Sequence, residues 1–118
     1  MVLKLFIDDL REVCDIYPCS MAKDFIIVRD YSSAVSFMNT FGCPQYVSFD
    51  HDLGEQVGES GEELNGFRIA QWMVNNDLDL NGTFIPNDFG FLVHSANPIG
   101  KINITGLLNN YLEFRNGY

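Results

Sequence analysis

Tyr46-Val47-Ser48-Phe49-Asp50-His51-Asp52-Leu53-Gly54 decides the reading of this chain. Its first four residues form a short, mainly apolar run without strict alternation, the pattern of a strand covered on both faces. Three ionisable residues, Asp50, His51 and Asp52, follow directly and so fall at the strand's carboxyl end. Open α/β sheets take their ligands in the crevice above such ends. Two other apolar runs finish in the same way. Leu3-Lys4-Leu5-Phe6-Ile7 leads into Asp8-Asp9, and Phe89-Gly90-Phe91-Leu92-Val93 leads into His94-Ser95. As parallel neighbours, these runs would assemble one polar site.

Outward from that stretch, strands are expected over residues 3–7, 25–28, 45–49 and 89–93. Asp30 reads as the cap of a helix with Tyr31, Ala34, Val35 and Met38 on one face, and Gly42 as its stop. A second helix opens near Asn65-Gly66 and turns Phe67, Ala70, Met73 and Val74 inward through about residue 76. A third has Asn97 as N-cap and Pro98 at its first position, where a missing amide hydrogen costs nothing. Its apolar stripe is Ile104, Leu107, Leu108, Tyr111 and Leu112. Residues 10–24, with Pro18, read as a loop carrying a turn or two of helix. Residues 54–64 are Gly-rich and acidic, suited to a lid beside a site, and 77–88 form another connection. Strands alternating with helices predict a parallel sheet with right-handed crossovers.

A chain of 118 residues with 47% hydrophobic and 19% charged residues has the size and composition of one globular domain, here residues 1–118. No apolar run reaches the roughly 18–20 residues that span a bilayer. The opening Met1-Val2-Leu3-Lys4 lacks a secretory pattern, so a cytoplasmic location without membrane association is expected. Cys14, Cys19 and Cys43 form no CxxC pair and read as reduced structural thiols. A net charge of −9 argues against an extended nucleic-acid surface but leaves room for a small phosphorylated ligand held with a cation. The oligomeric state leaves no mark on the sequence.

Each cluster has a chemical and a plainer reading. Adjacent carboxylates at Asp8 and Asp9 repel, and a hard divalent ion, Mg or Mn, relieves them; equally, either can cap the following turn, with Arg11 a surface charge. His51 oriented by Asp52 suits proton transfer near neutral pH, while Asp50 and Asp52 could instead hold loop amides in an Asx turn. After His94, free amides at a helix start suit a phosphate, with Ser95 and Asn97 as added donors; Asn97 is also a good N-cap in its own right.

Leu5-Phe6-Ile7-Asp8-Asp9-Leu10-Arg11, Val47-Ser48-Phe49-Asp50-His51-Asp52-Leu53-Gly54 and Val93-His94-Ser95-Ala96-Asn97-Pro98-Ile99-Gly100 together resemble the cyclic-phosphate processing receiver domain family. The resemblance covers nearly the whole chain. It implies a modified response-regulator receiver in which Asp8 and Asp9 match the metal-binding pair and Asp50 the phosphoacceptor position. Ser95 lies near the switch hydroxyl position. The Asp-His-Asp-Leu-Gly and His-Ser-x-Asn-Pro motifs separate this family from ordinary receivers. A fifth strand bearing the receiver Lys is not expected, since the helix around 98–115 ends the chain and Lys101 lies inside it. The family's usual Pro after the Arg11 position is also absent.

The expected fold is therefore a receiver-like, flavodoxin-like three-layer α/β sandwich of about four parallel strands, lacking the fifth. The expected activity is that of a metal-dependent phosphoesterase opening a cyclic phosphate, a 2′,3′-cyclic RNA end or a cyclic nucleotide. Asp8, Asp9 and Asp50 would hold Mg or Mn, His51, Asp52 and His94 would handle protons, and Arg11, Ser95 and Asn97 would position phosphate. Leu53 and Ala96 at the +2 positions disfavour a metal-free His-x-Thr/Ser route. The alternatives are an inactive receiver-like domain binding a cyclic nucleotide or a protein partner, as in a phage or bacterial accessory protein, and a true phosphoacceptor.

Overall fold

In a computed structural model that describes residues 3–54 and 57–117, the four apolar runs are strands: β1 (Lys4–Ile7), β2 (Phe25–Val28), β3 (Tyr46–Phe49) and β4 (Gly90–Val93). All pair in parallel, in the order β2-β1-β3-β4. This is the receiver-like arrangement expected, with β1 inside the sheet and the chain crossing outward on both sides of it. Among the described residues, α1 (Tyr31–Phe41) and α2 (Gly66–Asp79) make the crossovers from β2 to β3 and from β3 to β4, and α3 (Pro98–Arg115) follows β4. Each starts on the side chain of an Asx residue. Asp30 accepts from the Ser33 amide at 2.8 Å, Asn65 from Arg68 at 3.1 Å and Asn97 from Gly100 at 3.0 Å.

The two faces of the sheet are covered unequally. Leu5, Ile7, Val47 and Phe49 meet Ala34 and Met38 of α1, Ile69 and Met73 of α2, and Ile104 and Leu108 of α3 in the main core. On the other face, Phe6, Val13 and Phe25 form a small cluster beneath two 3-10 turns, Val13–Asp15 and Cys19–Asp24. The third layer is thus a pair of short turns, as the weak helical pattern of 10–24 implied. The expectation of free thiols fails for two of the three cysteines: Cys14 and Cys19, five residues apart, are joined in a disulfide across these turns, and Cys43 is free. Among the described residues, no helix is long and apolar enough to cross a membrane.

Two loops differ in detail from expectation. In the acidic loop, Val57 bridges Glu63 across a tight turn in which the Gly58 amide donates to Glu62 at 2.9 Å; Glu55 and Gln56, also part of the expected lid, lie outside the described residues. The second helix continues past residue 76 to Asp79 because Asp77 faces inward rather than starting a connection. Its fully buried carboxylate accepts from the Phe84 and Ile85 amides at 2.9 and 2.7 Å and from the Tyr111 hydroxyl at 2.5 Å, with Arg115 at 3.4 Å. Burial alone would raise this carboxyl, but those donors outweigh it and hold it below the ordinary range. The 80–88 segment is therefore anchored to both α2 and α3 through one side chain.

Removing that anchor by Asp77→Ala is expected to cost about 3–5 kcal/mol, as for a buried charged pair deprived of one partner. Tyr111→Phe should cost about 1 kcal/mol. Urea unfolding reads both. Because the native carboxyl ionises more readily than the unfolded one, its contribution is complete above the ordinary carboxylate range. It fades as pH falls through the lowered native value.

Candidate functional site

Register alone builds the rim. Ile7 pairs with Val28 and with Phe49, and Phe49 pairs with Val93, so these four share one row. The residues that follow, Asp8, Arg29, Asp50 and His94, make the next row, and the ladder runs on into it. The Asp8 amide donates to Val28 at 3.2 Å, Asp50 to Ile7 at 2.8 Å and His94 to Phe49 at 2.9 Å. Asp8, Asp9 and Asp50 thereby present carboxylate oxygens that all lie within 4.8 Å of one another.

The buried acids are treated differently by their surroundings. Asp8 Oδ1 accepts from the Leu10 and Arg11 amides at 2.9 and 2.8 Å, and Oδ2 meets His94 Nε2 at 2.9 Å and Arg11 Nη1 at 3.5 Å. Burial pushes Asp8 up, yet these donors prevail and its carboxyl lies below the ordinary value. Asp50 has no such cage. Burial, then the Asp8 charge, push its carboxyl up against the opposing Ser95 hydroxyl and Arg11, with Asp9 adding to the rise.

The two histidines have separate fates. His51 is the more exposed of the two, its side chain 15% exposed, with Nδ1 3.0 Å from Asp52 Oδ1. Its ring rests on the first turn of α3, where a Cβ on Gly100 would approach it to 2.3 Å, and Gly66 is needed because a Cβ there would lie 2.0 Å from the Asp50 carbonyl oxygen. The His94 side chain is 1% exposed, stacked on Phe6 at 4.6 Å between ring centroids, with Nε2 against Asp8 and Nδ1 2.7 Å from Ser48 Oγ. Burial, aided by Arg11, outweighs Asp8 and holds its pKa below the usual histidine value. Both of its ring nitrogens are engaged inside the protein.

The expected phosphate-positioning residues border the same rim. Arg11, 35% exposed, reaches Asp8 and the His94 carbonyl. Ser95 bonds Asp50 and accepts from the Asn97 amide at 3.0 Å. Asn97 is the N-cap weighed for it, Oδ1 capping α3, while its Nδ2 lies 3.5 Å from Asp52 Oδ2 and from His51 Nδ1. The sequence reading passed over Ser48 and Tyr17, whose hydroxyls meet at 2.9 Å behind His94. Ser48 carried a signal, being a polar residue inside an apolar strand run, where a buried hydroxyl must find a partner.

A parallel sheet in this order, with acids closing the strand beside the crossover and its neighbour, defines a receiver-class α/β domain. The chain belongs to the cyclic-phosphate processing receiver domain family, whose sequence model matches residues 3–110. No curated protein matches it. Among solved structures it is similar to a fusion bearing the yeast Spc42 trimeric coiled coil, amino acids 181–211, at 14% identity and a TM-score of 0.47; the match covers 98% of this chain and 80% of that one. A likeness that loose adds nothing to the fold or the site.

Asp50 supplies a direct test of the site's electrostatics. Its native pKa is raised, so its ionised form weighs against the folded state, and stability is regained as pH falls through the native value toward the ordinary one. Asp50→Asn should therefore raise the thermal midpoint at pH 7 in chelator by about 3–6 °C, the size of roughly 1 kcal/mol in a small domain. The gain over wild type should shrink as pH approaches 4, near the ordinary aspartate value of 3.8. Calorimetry across that range checks it.

Proposed function

We propose that this domain is a metal-dependent phosphoesterase that opens a cyclic phosphate, either a 2′,3′-cyclic RNA end or a cyclic nucleotide. The observation that carries the reading is the approach of three carboxylates, two of them buried, on one rim. Their all-oxygen donor set, and the raised carboxyl of Asp50, fit a hard divalent cation. Asp8, Asp9 and Asp50 would hold Mg or Mn, which supplies positive charge for phosphoryl oxygens and eases the ionisation of water near pH 7.

Hydrolysis adds water across one P–O bond, so one proton leaves the nucleophile and one joins the departing alkoxide. His51 would carry it: with Nδ1–H turned to Asp52, its basic lone pair is on Nε2. Arg11, with Ser95 and Asn97, orients phosphate oxygens. His94 acts from behind, donating Nε2–H to Asp8, and does not touch substrate. The burial of His94 leaves His51 as the one partly exposed imidazole, and this favours as second reading a domain that binds the cyclic phosphate without turning it over.

Incubation with 2′,3′-cyclic and 3′,5′-cyclic mononucleotides, with Mn²⁺, Mg²⁺ or chelator, separates the readings by phosphorus NMR. Ring opening that needs the cation and falls at least 100-fold in both Asp50→Asn and His51→Ala supports the enzyme, a general base being worth about 10²–10⁴ in rate. Saturable binding with no product supports the sensor, and a lack of either rejects both.

A further inference from the structure

Behind the acidic rim runs a string of side-chain hydrogen bonds of which the proposed chemistry uses only the first, His94 to Asp8. Asp8 Oδ2 meets His94 Nε2 at 2.9 Å, His94 Nδ1 meets Ser48 Oγ at 2.7 Å, and Tyr17 donates to Ser48 Oγ at 2.9 Å. The Tyr17 and Tyr46 hydroxyls lie 3.0 Å apart. With Asp8 ionised, the string runs in one direction. A carboxylate accepts, so the hydrogen is on Nε2; a neutral imidazole then offers a lone pair at Nδ1, which Ser48 fills by donating. Ser48 accepts from Tyr17, and Tyr17 in turn from Tyr46. Ser48 and Tyr17 each give one hydrogen and receive one, and Tyr46 gives one.

The string bears on Asp8 through one oxygen. Oδ1 is fixed by two backbone amides, whereas Oδ2 has one short contact, His94, since Arg11 stands off at 3.5 Å. His94 is in turn held by its stack on Phe6, with the rings 3° from parallel, and by Ser48. We infer that Ser48 and Tyr17 are positioning residues of the site, setting the rotation of the Asp8 carboxylate through the His94 ring. The carboxylate geometry shared with Asp9 and Asp50 then depends on a hydroxyl in mid-strand and a tyrosine on the thin face of the sheet. The effect on cation binding rests on the reading proposed above; the effect on Asp8 does not.

Selective ¹⁵N-histidine labelling of the full chain gives two imidazoles to follow, because the sequence contains two His. In chelator, wild-type His94 is expected as the Nε2–H tautomer. Ser48→Ala should shift its Nδ1 toward an unbonded position and move the Leu10 and Arg11 amide resonances, which report on Asp8 from another strand. Tyr17→Phe, which keeps the ring packing, should do the same to a smaller extent. Mn²⁺ affinity measured by calorimetry should fall about tenfold in Ser48→Ala, the usual scale for outer partners of metal ligands. An Nδ1–H tautomer in wild type, or Leu10 and Arg11 amides unmoved in a folded Ser48→Ala, overturns the inference. Resonance shifts as expected in a wild type that binds no Mn²⁺ uphold the relay and overturn the cation reading instead.

Discussion

Like charges forced together by strand register are the constraint from which the rest of this structure follows. Two unit charges about 4.8 Å apart, the span within which the three carboxylates approach, repel by roughly 3–4 kcal/mol at an effective dielectric of 20. The fold does not relieve this by separation, because the parallel ladder continues into the very residues that carry the charge. It concentrates donors on Asp8 and leaves Asp50 with few, so burial and the neighbouring charge raise one acid while hydrogen bonds lower the other. The asymmetry is local and geometric. Asp8 begins a loop whose next amides curl back toward it, whereas the backbone after Asp50 is pressed against the start of α2 at Gly66.

The unequal covering of the sheet explains where the polar network lies. Three helices seal one face with aliphatic and aromatic side chains, and nothing polar is needed there until Asp77 at the far end of α2. The opposite face has two 3-10 turns for a roof. Phe6, Ser48 and His94 all belong to that face, and Tyr17 comes down from the roof to meet them. A thin cover supplies few apolar contacts, so a fully satisfied set of hydrogen bonds rigidifies what packing alone would leave loose.

Much of this was legible in the sequence, and the failures have physical causes. The apolar runs located the strands to within a residue, and Asp30, Asn65 and Asn97 marked helix starts because short polar side chains satisfy orphan amides. The convergence of Asp8, Asp9 and Asp50 followed from their common place at strand ends. Asp77 was read as the start of a connection because acids are seldom buried, although it stands four residues after Met73 on the inward stripe. His94, like His51, follows an apolar run and so reads as a proton-handling group at a strand end, yet it is buried. Position at a strand end does not tell which face a side chain takes; parity does. Val93 faces the helices, so the next side chain turns toward Ser48 and Phe6. The Cys14–Cys19 pairing depends on how the turns fold back, which no spacing rule reveals.

An anionic ligand has an unfavourable approach to this rim. The chain carries a net charge of −9, and Arg11, the guanidinium bordering the acids, is two-thirds buried and turned partly toward Asp8. Arg29, in the same row, is engaged with the Asp8 and Arg11 carbonyls and with Glu12. One partly engaged positive side chain does not offset three carboxylates, so a phosphate reaching His51 needs further positive charge beside it. The cation and the phosphate are therefore not independent suppositions. If the acids hold an ion, the same site can accept a cyclic phosphate; if they do not, its electrostatics repel one, and the sensor reading falls with the enzyme.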